Sequence, residues 1–219
     1  MDLEAEAKAY AVADFSQVNQ AFVERLLEHV GGARQGEAID LGTGPADIPI
    51  RLVQTARRRF GQAAGGFHVT AVDASGPMIE LARRFVKQAG LGDAIHLVLG
   101  DAKATGLPAR RYGIVFSNSI LHHVSDAAGF WREVKRLAAP KALVFLRDLA
   151  RPATDQAAAD IVQKYAGSES PLLQEEYHRS LLSAYTPGEV RSQLDTAGLP
   201  SLTVRTSTDR HLDVFGTVP

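Results

Sequence analysis

Two glycines and three carboxylates are the residues of this 219-residue sequence best placed to do chemistry. In Asp40-Leu41-Gly42-Thr43-Gly44-Pro45-Ala46-Asp47 an apolar stretch runs into two glycines one residue apart, and a helical pattern follows. Glycines at such a bend let the backbone approach a ligand, with free N–H groups at the helix start. Asp73 closes a second apolar stretch, and Asp101 follows Gly100 at the end of a third. A carboxylate at Asp73 can accept paired hydrogen bonds from the vicinal hydroxyls of a ribose. Asp101 can take the amino group of an adenine, and Asp40, beside the glycines, suits an ammonium. Acids gathered without matching bases call for a ligand that carries positive charge. The dinucleotide pattern G-x-G-x-x-G is not completed, because its third glycine is Asp47, an anion where a pyrophosphate would sit. No Gly-Lys-Ser/Thr follows, which excludes a P-loop.

These groups must be positioned by alternating strands and helices. Ala38–Leu41, His68–Asp73, Ile95–Leu99, Tyr112–Asn118 and a fifth run beginning at Leu143 are short and apolar on both faces. Between them lie helical stretches over Ile48–Phe60, Pro77–Ala89 and, capped by Ser125 or Asp126, a stretch ended by Pro140. That alternation predicts a parallel sheet covered on both sides, with ligands bound at the carboxyl ends of the strands. Thr186-Pro187-Gly188-Glu189 is a capping box with proline at the first helical position, predicting a helix to Ala197. Leu202–Thr206 and Leu212–Phe215 around a polar turn read as a closing hairpin.

Asp40, Asp73 and Asp101 thus fall at the ends of adjacent strands. A nucleoside carrying an ammonium and a sulfonium, S-adenosylmethionine, answers their demand. Four motifs in order then resemble the class I S-adenosylmethionine-dependent methyltransferases, of the small-molecule "type 11" kind. They are Ala38–Ala46, Val72–Met78, Gly100-Asp101-Ala102 with Gly106-Leu107-Pro108, and Tyr112–His123, together covering roughly residues 36–150. The resemblance implies a Rossmann-like α/β fold: a seven-stranded, mostly parallel sheet with an antiparallel C-terminal hairpin strand and helices on both faces. It implies S-adenosylmethionine as cofactor, released as S-adenosylhomocysteine, with Thr43, Ala74, Met78, Gly100, Ala102 and Asn118 joining Asp40, Gly42, Gly44, Asp73 and Asp101 around it. Two departures stand out: the motif's third glycine is Ala46, and Gly61–Gly66 is an extra loop.

The whole chain, residues 1–219, reads as one domain with two attachments. Residues 1–30, with Tyr10, Phe15 and Phe22, are expected to form a helical flap. Residues 151–185, a connection too long to be idle, are expected to form a helical cap bearing Tyr177 and His178 over an acceptor. Tyr10, Arg147, Tyr177 and His178 are the candidate substrate contacts. His122 and His123, just past the fourth strand, are candidate proton acceptors, since an imidazole titrates near working pH. Arg147 and Asp148 point to opposite faces, so one should reach the crevice and the other a helix layer or a salt bridge.

Composition narrows the field. The sequence has 24 Lys plus Arg against 25 Asp plus Glu, a net charge of -1, so it lacks the basic footprint that binding to DNA or RNA demands. Asn118-Ser119-Ile120-Leu121 stands where amino-methylases of flipped bases carry Asn-Pro-Pro-Tyr. There is no cysteine, which excludes a thiol nucleophile and Cys-ligated metal and fits a cytoplasmic setting. No metal ligand set, secretory leader or membrane span is legible, and oligomeric state is left open. The expected acceptor is a small molecule. The competing reading is a module that holds the cofactor or its product as a sensor or structural ligand without turnover.

Overall fold

The computed structural model describes residues 16–30, 36–61 and 67–219. Helix α1 (Ser16–Val30) precedes β1 (Gly36–Leu41), α2 (Asp47–Phe60), β2 (Phe67–Asp73), α3 (Gly76–Gln88), β3 (Ile95–Leu99) and β4 (Tyr112–Asn118). A 3-10 turn, Leu121–His123, leads to α4 (Ala127–Leu137) and β5 (Ala138–Leu149). Then come α5 (Asp155–Ala166), α6 (Pro171–Ser183), α7 (Pro187–Thr196), β6 (Thr203–Thr206) and β7 (His211–Thr217).

The strands form one sheet in the order β3-β2-β1-β4-β5-β7-β6. The first five pair in parallel, while β7 runs antiparallel to β5 and to β6. Chain order reverses between β1 and β4, which places the switch point, where open α/β sheets bind ligands, directly after Leu41 and Asn118.

Apolar strands bury both faces. On one, Phe116 and Phe145 pack under Phe22 and Leu26 of α1, Leu52 of α2 and Ala82 of α3. On the other, Leu41, Val115 and Val144 pack under Trp131 and Val134 of α4 and Val190 of α7. Where the flap was expected, α1 is built into the core: the Phe22 ring lies 5.2 Å from that of Phe145 and 6.4 Å from that of Phe116. Tyr10 and Phe15 lie outside the described residues. Helix starts follow their caps. The Ser75 hydroxyl accepts from Met78 N, the Asp126 carboxylate from Gly129 N, and Thr186 and Glu189 close the predicted capping box.

The fifth strand differs from expectation. It begins at Ala138, directly after α4, and contains Pro140. The ladder to β4 shifts register between Tyr112 and Ile114, and Lys141 takes φ 62, so the proline sits in an irregular stretch rather than a regular pairing. The long connection after β5 holds α5 and α6, which meet over a separate small core of Ala158, Ile161, Val162, Leu181 and Ala184 against Leu149. Among the described residues no helix is long and apolar enough to cross a membrane.

Candidate functional site

The loop after β1 is wound by three left-handed residues at alternate positions, Gly42 (φ 78), Gly44 (φ 54) and Ala46 (φ 64). Gly42 N and Thr43 N both donate to Val72 O at 2.9 Å, tying the loop to the end of β2. A Cβ on Gly42 would stand 2.4 Å from Ile120 Cδ1, so only glycine allows the loop after β4 to close on this one. A Cβ on Gly44 would meet nothing within 4 Å, leaving that face open. The motif's third glycine position keeps a glycine conformation although Ala46 occupies it; an alanine there is strained by about 1–2 kcal/mol.

Two of the three predicted carboxylates converge here. Asp73 Oδ2 accepts from Gly44 N at 2.7 Å and Oδ1 from Ser75 N at 2.8 Å. Asp40 is 2% exposed, and its Oδ2 has no hydrogen-bond partner. The hydroxyl of Thr43 is likewise buried and unpartnered. Burial pushes the Asp40 carboxyl up to about 7, the nearby Thr43 hydroxyl opposing without a well-formed bond and the charge of Asp73 adding to the rise. Buried polar atoms are nearly always paired. An orphaned carboxylate oxygen beside an orphaned hydroxyl, under a glycine loop, fits a ligand that brings an ammonium.

Asp101 stands apart. It is exposed and accepts from both the backbone N and Nζ of Lys103 at 2.9 Å, which hold its carboxyl below the ordinary range. Its neighbours are closer in: Gly100 N donates to Asp73 O at 2.9 Å, and Ala102 is buried. Ala74 is exposed, and Met78 and Asn118 are half-buried along the same strand ends. Asn118 Nδ2 donates to Asn19 Oδ1 at 3.5 Å, and Asn19 Nδ2 to Asp47 Oδ2 at 2.8 Å. Asp47 also takes Arg51 Nε at 2.6 Å, so its charge is partly offset and the repulsion of a pyrophosphate expected from sequence is weakened. Asn19, 4% exposed on α1, was missed from sequence; its only signal is a polar residue among the apolar positions of an amphipathic helix.

The candidate substrate contacts are dispersed. Arg147 is pinned in a buried, two-pronged ion pair with Asp213, at 2.7 and 2.8 Å, directly opposite it on β7. Of the Arg147–Asp148 pair, Arg147 is thus the one placed in a salt bridge. Tyr177 accepts at its hydroxyl from Arg210 Nη1 at 2.9 Å, and burial raises its pKa. His178 Nε2 lies 3.4 Å from Asp155 of α5. Both are held to neighbours on their own side, although α6 packs against the 3-10 turn that carries the histidines.

Within that turn His122 Nδ1 lies 2.5 Å from Asp148 Oδ1, and the His122 ring lies tilted, its centroid 3.9 Å from that of His123. His123 is exposed at its surface but lies close against the protein; that desolvation, then the adjacent His122, lowers its pKa. Among the described residues no group of three or more histidines and carboxylates is gathered as for a metal ion.

The strand order, with a glycine loop at its switch point and carboxylates at the ends of β1 and β2, defines a Rossmann-like α/β protein. Residues 39–146 match the model of the Methyltransferase domain family. The chain resembles a ubiquinone biosynthesis O-methyltransferase of Methylocella silvestris, 32% identical over 106 residues, 48% of this chain and 41% of that protein. It therefore aligns with less than half of that relative's length. Among solved structures it is similar to an S-adenosylmethionine-dependent methyltransferase from Aquifex aeolicus, with TM-score 0.69 and 19% identity over 99% of this chain and 98% of that one. It is also similar to a geranyl diphosphate methyltransferase solved with GPP and sinefungin, with TM-score 0.62 and 14% identity over 89% and 76%. Residues 39–146 thus resemble a methyltransferase domain, and the chain shares its fold with a solved S-adenosylmethionine-dependent methyltransferase.

Proposed function

We propose that this protein transfers the methyl group of S-adenosylmethionine to a small-molecule acceptor by in-line displacement. The observation that carries the reading is Asp40: a fully buried carboxyl with an unpartnered oxygen beneath the glycine loop. Leaving it unsatisfied is costly, and a cationic ligand removes the cost. Asp40 and Thr43 hold the ammonium end of the cofactor. Asp73, whose oxygens each keep a lone pair beyond their backbone bonds, takes the ribose hydroxyls. The open face at Gly44 admits the backbone approach, with Gly100, Ala102, Ala74 and Met78 lining the adenosine side and Asn118 the sulfonium side. Asp101 reaches the adenine by exchanging its Lys103 contact.

When bound, the cofactor supplies an activated methyl group on a cationic sulfur. The protein aligns the acceptor ~3–3.5 Å from the methyl carbon and excludes water. We place the acceptor under residues 151–185, because α6 lies against the His122–His123 turn. The names of the ubiquinone and geranyl diphosphate enzymes favour a small-molecule acceptor. The near-neutral charge of the chain favours the same over a nucleic acid. The test is a metabolite extract incubated with methyl-labelled S-adenosylmethionine. Label in one small product is expected. Tight cofactor binding with no labelled product would favour the sensor reading.

A further inference from the structure

Asp148 is a buried carboxylate beside the loop that carries His122 and His123. It lies near the end of β5, is 3% exposed, and its carboxylate hydrogen bonds go to the loop after β4 and its own strand end. Its Oδ2 accepts from Leu121 N at 2.5 Å, and its Oδ1 faces His122 Nδ1 at 2.5 Å and accepts from Leu149 N at 2.7 Å. The loop is fixed elsewhere too. Ser119, left-handed at φ 61, donates its N–H to Arg147 O at 2.9 Å, and Ile120 seats on Gly42 of the glycine loop. A residue held in a sparsely populated conformation marks a place where the surroundings over-determine the backbone. The segment is therefore clamped between the cofactor loop and β5, with His122 two residues from the contact with Gly42.

A carboxylate facing Nδ1 fixes the tautomer of a histidine, since the proton on Nδ1 is the one it can accept. The lone pair is then on Nε2, which makes no hydrogen bond among the described residues. The imidazole is 5% exposed, and α6 packs against the turn that carries it.

We propose that Asp148 is a positioning residue that holds His122 as the Nδ1–H tautomer with Nε2 as proton acceptor, and that the methyl acceptor is accordingly a hydroxyl. This rests on the methyltransferase reading above. A neutral amine already presents a lone pair and needs no base for attack, whereas a hydroxyl becomes a competent nucleophile as its proton is removed. The acceptor's O–H bond breaks and its proton passes to Nε2. The oxygen forms its bond to the methyl carbon. The methyl–sulfur bond breaks with its electron pair remaining on sulfur, and the imidazolium, stabilised by Asp148, later loses its proton to water.

The test begins without cofactor or acceptor. Protein labelled with 15N-histidine is examined by long-range proton–nitrogen correlation at pH 8, with the His122 signals assigned by their loss in His122→Gln. The Nδ1–H tautomer is expected; an Nε2–H tautomer overturns the proposal, and this reading needs no Asp148 variant to fold. In Asp148→Asn the amide can donate to Nδ1, so the tautomer should reverse. The kcat for the acceptor found by the labelled-extract screen should fall at least 100-fold, with S-adenosylmethionine affinity held within about threefold. A folded Asp148→Asn protein with unchanged kcat overturns the proposal, as does label appearing on nitrogen or carbon rather than oxygen. If the wild-type protein fails to bind S-adenosylmethionine, the methyltransferase reading falls instead, and the tautomer alone judges the pairing of His122 with Asp148.

Discussion

Asp40→Asn should make the ligand-free protein more stable while weakening its grip on the cofactor. Burial lifts the folded carboxyl from 3.8 to about 7. Between those values the folded state holds a proton that the unfolded state has lost, so stability falls as pH rises through that window. Below about pH 4 both states are protonated and the loss is absent; above about pH 7 it is complete, at about 4 kcal/mol. An asparagine has the same shape and no charge, and the unpartnered Thr43 hydroxyl can accept from its amide. At pH 8 the variant should gain about 2–4 kcal/mol, a rise in Tm of roughly 4–16 °C for a chain of this size. At pH 5 most of that gain should vanish. Affinity for S-adenosylmethionine should drop about 10–100-fold, the worth of one charged hydrogen bond. Urea denaturation at pH 5 and pH 8, paired with calorimetric titration, measures both. A destabilisation of equal size at the two pH values would refute the reasoning, because it would mean that the native carboxyl titrates as in the unfolded chain.

Ala46→Gly should stabilise the protein by about 0.5–1 kcal/mol and preserve cofactor binding, since it relieves the left-handed alanine at some cost in backbone entropy; thermal unfolding checks it. Gly42→Ala should cost more stability than Gly44→Ala, because its Cβ strikes Ile120 whereas the other meets nothing. Gly44→Ala should cost only the strain of a left-handed alanine, about 1–2 kcal/mol, and lose cofactor affinity besides, and a comparison of Tm with Kd separates the two. Arg147→Met should lower stability by about 3–5 kcal/mol in urea by leaving Asp213 charged and unpaired; an intact Tm with a raised acceptor KM would restore Arg147 to the substrate site.

The parallel strands and their ends were legible because each is a largely apolar run stopped by small or polar residues such as glycine, aspartate or asparagine. Ile95–Leu99 and Tyr112–Asn118 fall where their patterns place them. The start of β5 was not legible, because Pro140 reads as a stop; only the register shift against β4 makes it tolerable in a strand. The convergence of Asp40, Gly44 and Asp73 follows from strands that are neighbours in the sheet. The separation of Asp101 does not, because its partner Lys103 is a local choice of one turn. Adjacency in sequence showed that Arg147 and Asp148 face opposite ways but not which faces the crevice. That depended on Asp213, 66 residues further on, claiming the guanidinium across the hairpin. Asn19 was invisible for the same reason: its partners Asp47 and Asn118 meet it only once α1 is packed on the sheet.

The most direct measurement is calorimetric titration of the wild-type protein and Asp73→Ala with S-adenosylmethionine and, separately, with NAD. The strand-end carboxylates should give one saturable S-adenosylmethionine site in the wild type, none in the folded variant, and no heat with NAD in either. Undiminished S-adenosylmethionine affinity in Asp73→Ala, or saturable binding of NAD alone, would contradict the account.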